Sequence, residues 1–257
     1  DINDAVHQLF LHPNVGPFIG KQLIQRLVTS NPTPGYISRV AAVFADNGQG
    51  ERGDMGAVIK AILMDPEART CSALEEDRFG KLREPFTRYT HFSKYIQMEQ
   101  YYGRYWNVAY GFYQATNQMP LASRTVFNFF LPDFQPIGAI ADNGLVGPEF
   151  QIHNSRTSIE FINRVNDWAV WGYVMDDWEA ENPSVTYNID ELTPLARDPE
   201  VLINRLDVLF THGMLSDRTR QIIKDAITPM ISEDYRNDRT RLAMYLIMIS
   251  PDYAIMK

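Results

Sequence analysis

Apolar residues recur along most of this chain at the three- and four-residue spacing of an α-helix. Between Val15 and Thr29 the polar side chains fall on one side and leave a broad apolar arc on the other. Strand-like alternation is nearly absent, so the sequence predicts an all-α, irregular multi-helix domain. The predicted helices cover residues 15–29, 36–45, 54–64, 82–100, 156–173, 198–212, 216–228 and 237–249.

Capping residues mark where several of these helices begin. Asp198-Pro199 places a carboxylate before a first-turn proline, and Ser216 can cap the helix that follows it. The chain of 257 residues is long enough to bury a large core. We therefore predict a single helical domain over 1–257, with a division into 1–120 and 121–257 as the alternative.

One long segment, residues 125–154, interrupts the helical pattern with proline, glycine and phenylalanine. Loops of this length are uncommon in compact domains and usually serve a purpose when they are ordered. The phenylalanines favour a loop that packs against the protein. Its polar residues Asn128, Asp133 and Glu149 are candidates for contact with a ligand.

Two clusters of aromatic residues lie on either side of that segment. The first includes Tyr105 and Trp106, and the second includes Trp168 and Trp171. Tyrosine and tryptophan combine a flat apolar face with a polar tip, which suits wet interfaces and stacking on sugar rings. Two interpretations stay open: packing in the core, and binding of a saccharide or a protein partner.

The net charge of the chain disfavours two classes of binding partner. A net charge of -8 argues against nucleic acid or an anionic membrane surface as the main partner. The longest apolar run, residues 242–249, is far too short to span a membrane. Cys71 is the single cysteine, so no disulfide forms within the chain.

A polar cluster at the start of the helix predicted over 82–100 offers the best candidates for chemistry. Glu84, Arg88 and His91 are spaced to share one helix face. A histidine beside arginine and glutamate can hold an anion or transfer protons, while a salt-bridge network is the alternative. The nucleophile motif GxSxG and the zinc motif HExxH are both absent from the sequence.

The glycine-rich segment 46–54 carries three carboxylates, those of Asp46, Glu51 and Asp54. An EF-hand needs oxygen ligands at its third and fifth positions, where this segment has glycine. We expect no metal, although another cage of oxygen ligands stays open beside a plain helix connector. The GxGxxG spelled by 48–53 follows a predicted helix rather than a strand, so no nucleotide and no cofactor are expected.

Four segments together resemble the large bacterial family known as domain of unknown function 1800. They are residues 9–32, 40–69, 80–85 and 126–151, and the C-terminal third is similar more loosely. The resemblance implies a protein that is generally longer than this chain and often exported, without established enzymatic activity. This chain would then be the C-terminal portion of a periplasmic or extracellular protein.

Three functional hypotheses follow. The lack of a catalytic motif beside many aromatic residues favours a non-catalytic, exported interaction or scaffold domain that contacts a protein or saccharide. The competing hypothesis is a hydrolase of an extracellular or cell-surface polymer, using Glu84, Arg88, His91 and residues of the long loop. A third is a structural half that supports chemistry in an N-terminal part. The sequence does not set the oligomeric state.

Overall fold

A computed structural model describes residues 1–70, 78–100, 110–123, 125–172, 185–230 and 232–257. Helices dominate these residues, which confirms the predicted all-α fold. The α-helices are α1 (Ile2–Leu11), α2 (Val15–Leu27), α3 (Pro34–Ala45), α4 (Met55–Met64), α5 (Pro66–Arg69), α6 (Pro85–Tyr95), α7 (Tyr110–Thr116), α8 (Ala139–Asp142), α9 (Ser155–Val165), α10 (Pro199–Phe210), α11 (Asp217–Ile227), α12 (Arg236–Met248) and α13 (Pro251–Ala254). The short strands are β1 (Lys81–Leu82), β2 (Met98–Gln100), β3 (Val185–Tyr187) and β4 (Ile255–Met256).

The chain forms two compact units. Unit 1 comprises residues 1–81, 131–148 and Lys257, and unit 2 comprises residues 82–130 and 149–256. Unit 1 is therefore discontinuous in sequence. Residues 131–148, the second half of the long loop, belong with the N-terminal helices. The predicted single domain over 1–257 and its alternative division into 1–120 and 121–257 both stay predictions.

Unit 1 is built on the packing of α2, α3 and α4. Ile24, Val40, Phe44, Val58 and Ile62 form its buried apolar core. Glycine in α2 lets the first two of these helices approach closely: a Cβ added at Gly20 would lie 3.1 Å from Val40 Cγ1. Burial of these aliphatic and aromatic side chains is the main source of stability for the unit.

The second half of the long loop is ordered against the end of α2. The Gln25 side-chain amide donates to the Pro132 carbonyl at 2.9 Å. Asn31 accepts from the Val146 N–H and donates to the Val146 carbonyl, both at 2.9 Å. Residues 131–148 thus satisfy their backbone through specific side-chain bonds, and the prediction of an ordered loop is confirmed.

Asp65 links α3 to the start of α5 through a buried carboxylate. It caps α5 by accepting from the Glu67 N–H, and it receives two bonds of 2.7 Å from the Arg39 guanidinium. Bidentate pairing of this kind is stronger than a single neutral bond. The hydrogen bond from Arg39 is the main reason that the pKa of Asp65 is lowered.

We expect Asp65→Ala to lower the free energy of unfolding by about 2–4 kcal/mol, since it removes a cap and a charged pair. Asp65→Asn keeps a capping side chain and loses the charge, so a smaller loss is expected. Because the folded pKa is depressed, the wild-type advantage is present above the unfolded pKa and is lost as the pH falls below it. Denaturant unfolding at several pH values measures both effects, and equal losses for the two variants at neutral pH would contradict them.

Unit 2 has a core rich in aromatic residues. Trp168 lies at its centre, on the short π-helix Asn166–Val170 that continues from α9. Around it, α12 packs against α10 and α11, and buries Met244 and Ile247 among other apolar side chains. β1 and β4 form a two-stranded sheet, and the Arg83 N–H just after β1 donates to the Ala254 carbonyl at 2.8 Å.

The helix predicted over 82–100 is shorter than expected. α6 ends at Tyr95, and Gln97 adopts a left-handed φ of 47° that no helix continues through. The next residues form β2, which pairs antiparallel with β3 through the register Met98↔Tyr187. The prediction was wrong over 96–100, because a partner strand distant in sequence supplies hydrogen bonds that periodicity cannot reveal.

Candidate functional site

The polar residues predicted on α6 do not form the expected ion pair. Glu84, which precedes the helix, accepts a bond from the Gln118 side-chain amide. Arg88 instead donates from Nε to the Arg83 carbonyl oxygen at 2.8 Å. Of the residues predicted to share one helix face, Glu84 thus bonds to a side chain and Arg88 bonds to a backbone carbonyl.

Arg88 is the most deeply buried cation of this group, with 3% of its surface exposed. Its guanidinium lies 4.8 Å from the centroid of the Phe161 ring, and its Nη2 atom has no hydrogen-bond partner among the described residues. Burial lowers its pKa to about 10, so the group stays charged at neutral pH. A buried charge is normally paired with an opposite charge, which makes this side chain unusual.

His91 lies between Arg83 and Tyr253. Its Nδ1 is 3.5 Å from Arg83 Nη1 and 3.4 Å from the Tyr253 hydroxyl. The guanidinium can only donate, and the hydroxyl donates to the Arg88 carbonyl at 2.6 Å. Nδ1 can therefore accept from the guanidinium or donate to the hydroxyl oxygen, depending on the tautomer of neutral His91. Burial, with the charges of Arg83, His212 and Lys94, lowers the pKa of His91 to about 4.

The sequence analysis did not identify two further residues of this site. His212 follows α10 with a left-handed φ of 59°, and its ring centroid lies 5.5 Å from that of His91. Tyr253 lies on α13 and is fully buried. Neither position carries a local signal, because the chain brings both to α6 from more than a hundred residues away.

The structure describes two of the four aromatic candidates, and these two differ in their exposure to solvent. Tyr105 and Trp106 lie outside the described residues. Trp168 is 4% exposed and packs as a core residue. Trp171, three positions later, is 71% exposed. Of the two tryptophans, Trp171 is thus the one that presents its ring to solvent.

The polar candidates of the long loop occupy dissimilar positions. Asn128 is half-buried with a left-handed φ of 69°, in a turn where its N–H donates to the Thr125 carbonyl. Asp133 is exposed in unit 1. Glu149 lies in the 3₁₀ helix Pro148–Gln151 and is 1% exposed. Asn128 and Glu149 belong to unit 2.

The carboxylates of the glycine-rich segment stabilise the segment itself. Asp46 accepts from the N–H groups of Gly48 and Gly50 at 2.8 and 2.9 Å. Asp54 caps α4, and a hydrogen bond from Asn47 is the main reason that its pKa is lowered. Glu51 is exposed. Among the described residues, no three His, Cys, Asp or Glu side chains are grouped as a metal site requires.

The described residues 118–123 and 125–130 of unit 2 belong to a loop that forms a second candidate site, which we call the presenting loop. Gln118 and Phe130 are buried at its two ends. Between them, Leu121 is fully exposed and Val126 is 92% exposed. Single exposed apolar side chains are common on proteins, but two on one anchored loop are a candidate contact surface.

Comparison with known proteins identifies the family of this chain. Neither the curated proteins nor the solved structures contain a match. None of the helices in the described ranges combines the length and apolar character that a membrane crossing needs. A family model described as "Protein of unknown function (DUF1800)" matches residues 1–255, which include both compact units. The resemblance of the four sequence segments is thereby confirmed, and the chain belongs to the DUF1800 family.

Proposed function

We propose that this chain is a non-catalytic interaction domain that docks onto a partner protein through Leu121 and Val126. The observation that carries the proposal is the near-complete exposure of both side chains on the presenting loop. Transfer of each side chain from water into an apolar groove would contribute about 1.5–3 kcal/mol. The presenting loop thus supplies a compact apolar contact at the surface of unit 2.

The ends of the presenting loop are held in place by buried polar bonds and by core packing. Gln118 accepts from the Phe86 N–H at 2.9 Å and donates to the Glu84 carboxylate. Thr116, just before the loop, donates to the Phe112 carbonyl at 2.8 Å. Phe130 is 2% exposed at the other end. Fixed ends reduce the entropy that the loop would lose on binding a partner.

Leu121 also adopts an unfavourable backbone conformation. Its φ of 61° lies in the left-handed region, which costs a non-glycine residue roughly 1–2 kcal/mol. Within the chain, this conformation projects an apolar side chain into water instead of burying it. Strained positions of this kind cluster at binding sites, where the surrounding structure holds them ready.

The chemistry of the loop favours a protein over a saccharide. Leucine and valine have no flat ring on which a sugar can stack. Arg124 is the only ionisable residue in 118–130. A partner with a shallow, mostly uncharged apolar groove matches this surface best.

Photo-crosslinking in the native organism tests this proposal. A photoreactive amino acid at position 126 is expected to give one discrete protein adduct, which Leu121→Asp abolishes because it places a charge in the apolar contact. The matched control is the same photoreactive group at Ile222, an exposed apolar residue of α11.

The identified partner should then bind the purified chain, and Leu121→Asp should weaken that binding at least about tenfold. A folded Leu121→Asp variant that binds as tightly as wild type overturns the proposal.

The proposal includes export from the cytoplasm, which the family resemblance supports. A cysteine-free background, Cys71→Ser, allows a single reporter cysteine at the exposed Ile222. The full-length protein in intact cells is expected to react there with a thiol reagent that cannot cross the cytoplasmic membrane. Reaction only after the cells are lysed would place the domain in the cytoplasm and contradict export.

A further inference from the structure

Unit 2 concentrates positive and titratable groups around His91, in a chain whose net charge is -8. We call Arg83, Arg88, His91, Lys94 and His212 the cationic cluster. Three of them, at positions 88, 91 and 94, lie on α6, while Arg83 precedes that helix and His212 follows α10. Arg83 and Lys94 bring positive charge close to His91, while burial lowers the pKa of both His91 and His212, so the two imidazoles are neutral at pH 7.5.

Two carboxylates that lie close to the cluster along the chain, those of Glu84 and Asp207, are engaged with other groups. No ion pair joins Arg83, Arg88 or Lys94 to a described carboxylate. Asp207, on α10 near His212, is engaged elsewhere: it accepts from Thr211 and pairs with Arg220 at 2.8 Å. Like charges brought together without compensation repel one another, so the cluster is destabilising as it stands.

Several hydrogen-bond donors of the cluster are also poorly used. The bonds of the Arg83 guanidinium to the Phe210 carbonyl and to His91 are both 3.5 Å long, at the weak limit. Arg88 Nη2 and His91 Nε2 are buried without a hydrogen-bond partner among the described residues. A guanidinium nitrogen can only donate, so Arg88 Nη2 is a donor without an acceptor there.

We propose that the cationic cluster binds a doubly charged oxyanion of the phosphate class, with Arg83 as its principal ligand. The guanidinium of Arg83 has the planar donor geometry that matches two oxygens of such a group. Arg83, Arg88 and Lys94 carry permanent positive charges, and together they suit a dianion better than a monoanion. This site is independent of the presenting loop.

The residues of the cationic cluster differ in exposure. Lys94 and His212 are exposed, His91 is half-buried, and Arg83 and Arg88 are buried. The exposed side chains are the part of the cluster that a dissolved oxyanion can contact directly. A metal ion would be repelled by the same charges, so the two neighbouring histidines are poor metal ligands here.

Isothermal titration calorimetry at pH 7.5 and constant ionic strength tests the proposal with inorganic phosphate and with glycerol 3-phosphate. Saturable binding of either compound supports it. Tighter binding of glycerol 3-phosphate assigns the site to a phosphomonoester, and equal binding assigns it to the free ion. Absence of binding by folded protein, or equal competition by chloride at matched ionic strength, overturns the proposal.

Two variants connect the binding to the cationic cluster. Arg83→Gln is expected to weaken phosphate binding about 10- to 100-fold, because it removes a charged hydrogen-bond donor. His212→Asn removes the exposed imidazole of the cluster while keeping a residue that tolerates a left-handed φ, and a loss of several-fold is expected. The matched control is His7→Asn on the exposed helix α1, which should bind as wild type does.

Circular dichroism first establishes that each variant is folded. If Arg83→Gln fails to fold, Lys94→Ala replaces it, since Lys94 is exposed on α6 and its removal leaves the core intact. Folded Lys94→Ala and His212→Asn variants that both retain wild-type affinity would show that phosphate binds elsewhere. That result would overturn the assignment to the cationic cluster.

Discussion

Replacing Trp168 with alanine is expected to lower the free energy of unfolding by about 3–5 kcal/mol, one of the two largest effects that this structure predicts. The indole is 4% exposed and its ring lies 5.1 Å from that of Tyr89, centroid to centroid. The other rings that surround it belong to Phe92, Phe112 and Phe161. Alanine would leave a large cavity between α6, α7 and α9, and those helices can close over it only in part.

Trp171 provides the matched control for this experiment. The same substitution three residues later removes a side chain that is 71% exposed, so a change below about 0.5 kcal/mol is expected. Denaturant unfolding followed by far-ultraviolet circular dichroism measures both variants. Similar losses at the two positions would contradict the assignment of Trp168 to the core and of Trp171 to the surface.

Acidification from pH 7 to about 4 is expected to destabilise unit 2 through His91 and His153. The folded pKa of each is lowered to about 4, with burial as the largest cause. The unfolded chain therefore binds more protons than the folded chain between the ordinary histidine pKa of 6.5 and about 4. The stabilising contribution is complete above 6.5 and is lost as the pH falls through that window. Allowing for solvent screening, we expect a loss of roughly 1–2 kcal/mol for each histidine.

The double variant His91→Gln/His153→Gln tests the assignment of this pH dependence. Glutamine has no proton to gain in the window, so the slope of unfolding free energy against pH should flatten between 6.5 and about 4. His7→Gln, on the exposed α1, is the control and should leave the slope unchanged. An unaltered slope in the double variant would mean that other groups govern the acid sensitivity. Asp65 belongs to a lower pH window, because its folded pKa lies below the ordinary carboxyl value.

Local signals predicted the helices and their starting points well. The caps expected at Asp198 and Ser216 are confirmed, since Asp198 accepts from the Glu200 N–H and Ser216 accepts from the Thr219 N–H. These contacts join residues two or three positions apart, so the information lies within one turn of helix. The helix predicted over 156–173 is confirmed as α9 only to Val165, where the π-helix begins.

The candidate sites were predicted only in part. The sequence singled out Arg88 and His91, but it placed them in a network with Glu84 rather than beside His212 and Tyr253. It could not show that Arg88 is buried against Phe161, because that contact joins residues distant in sequence. It also grouped Trp168 with Trp171, although Trp168 is buried on the π-helix and Trp171, just after its end, is exposed.

The sequence by itself determined that this protein is helical, where many of its helices begin, and which family it resembles. Those properties depend on residue periodicity, on caps within one turn and on ordered runs of residues. Only the tertiary structure decided which cations are buried and which apolar side chains face water. Both depend on contacts between segments far apart in the chain, and such contacts form only when the elements pack together.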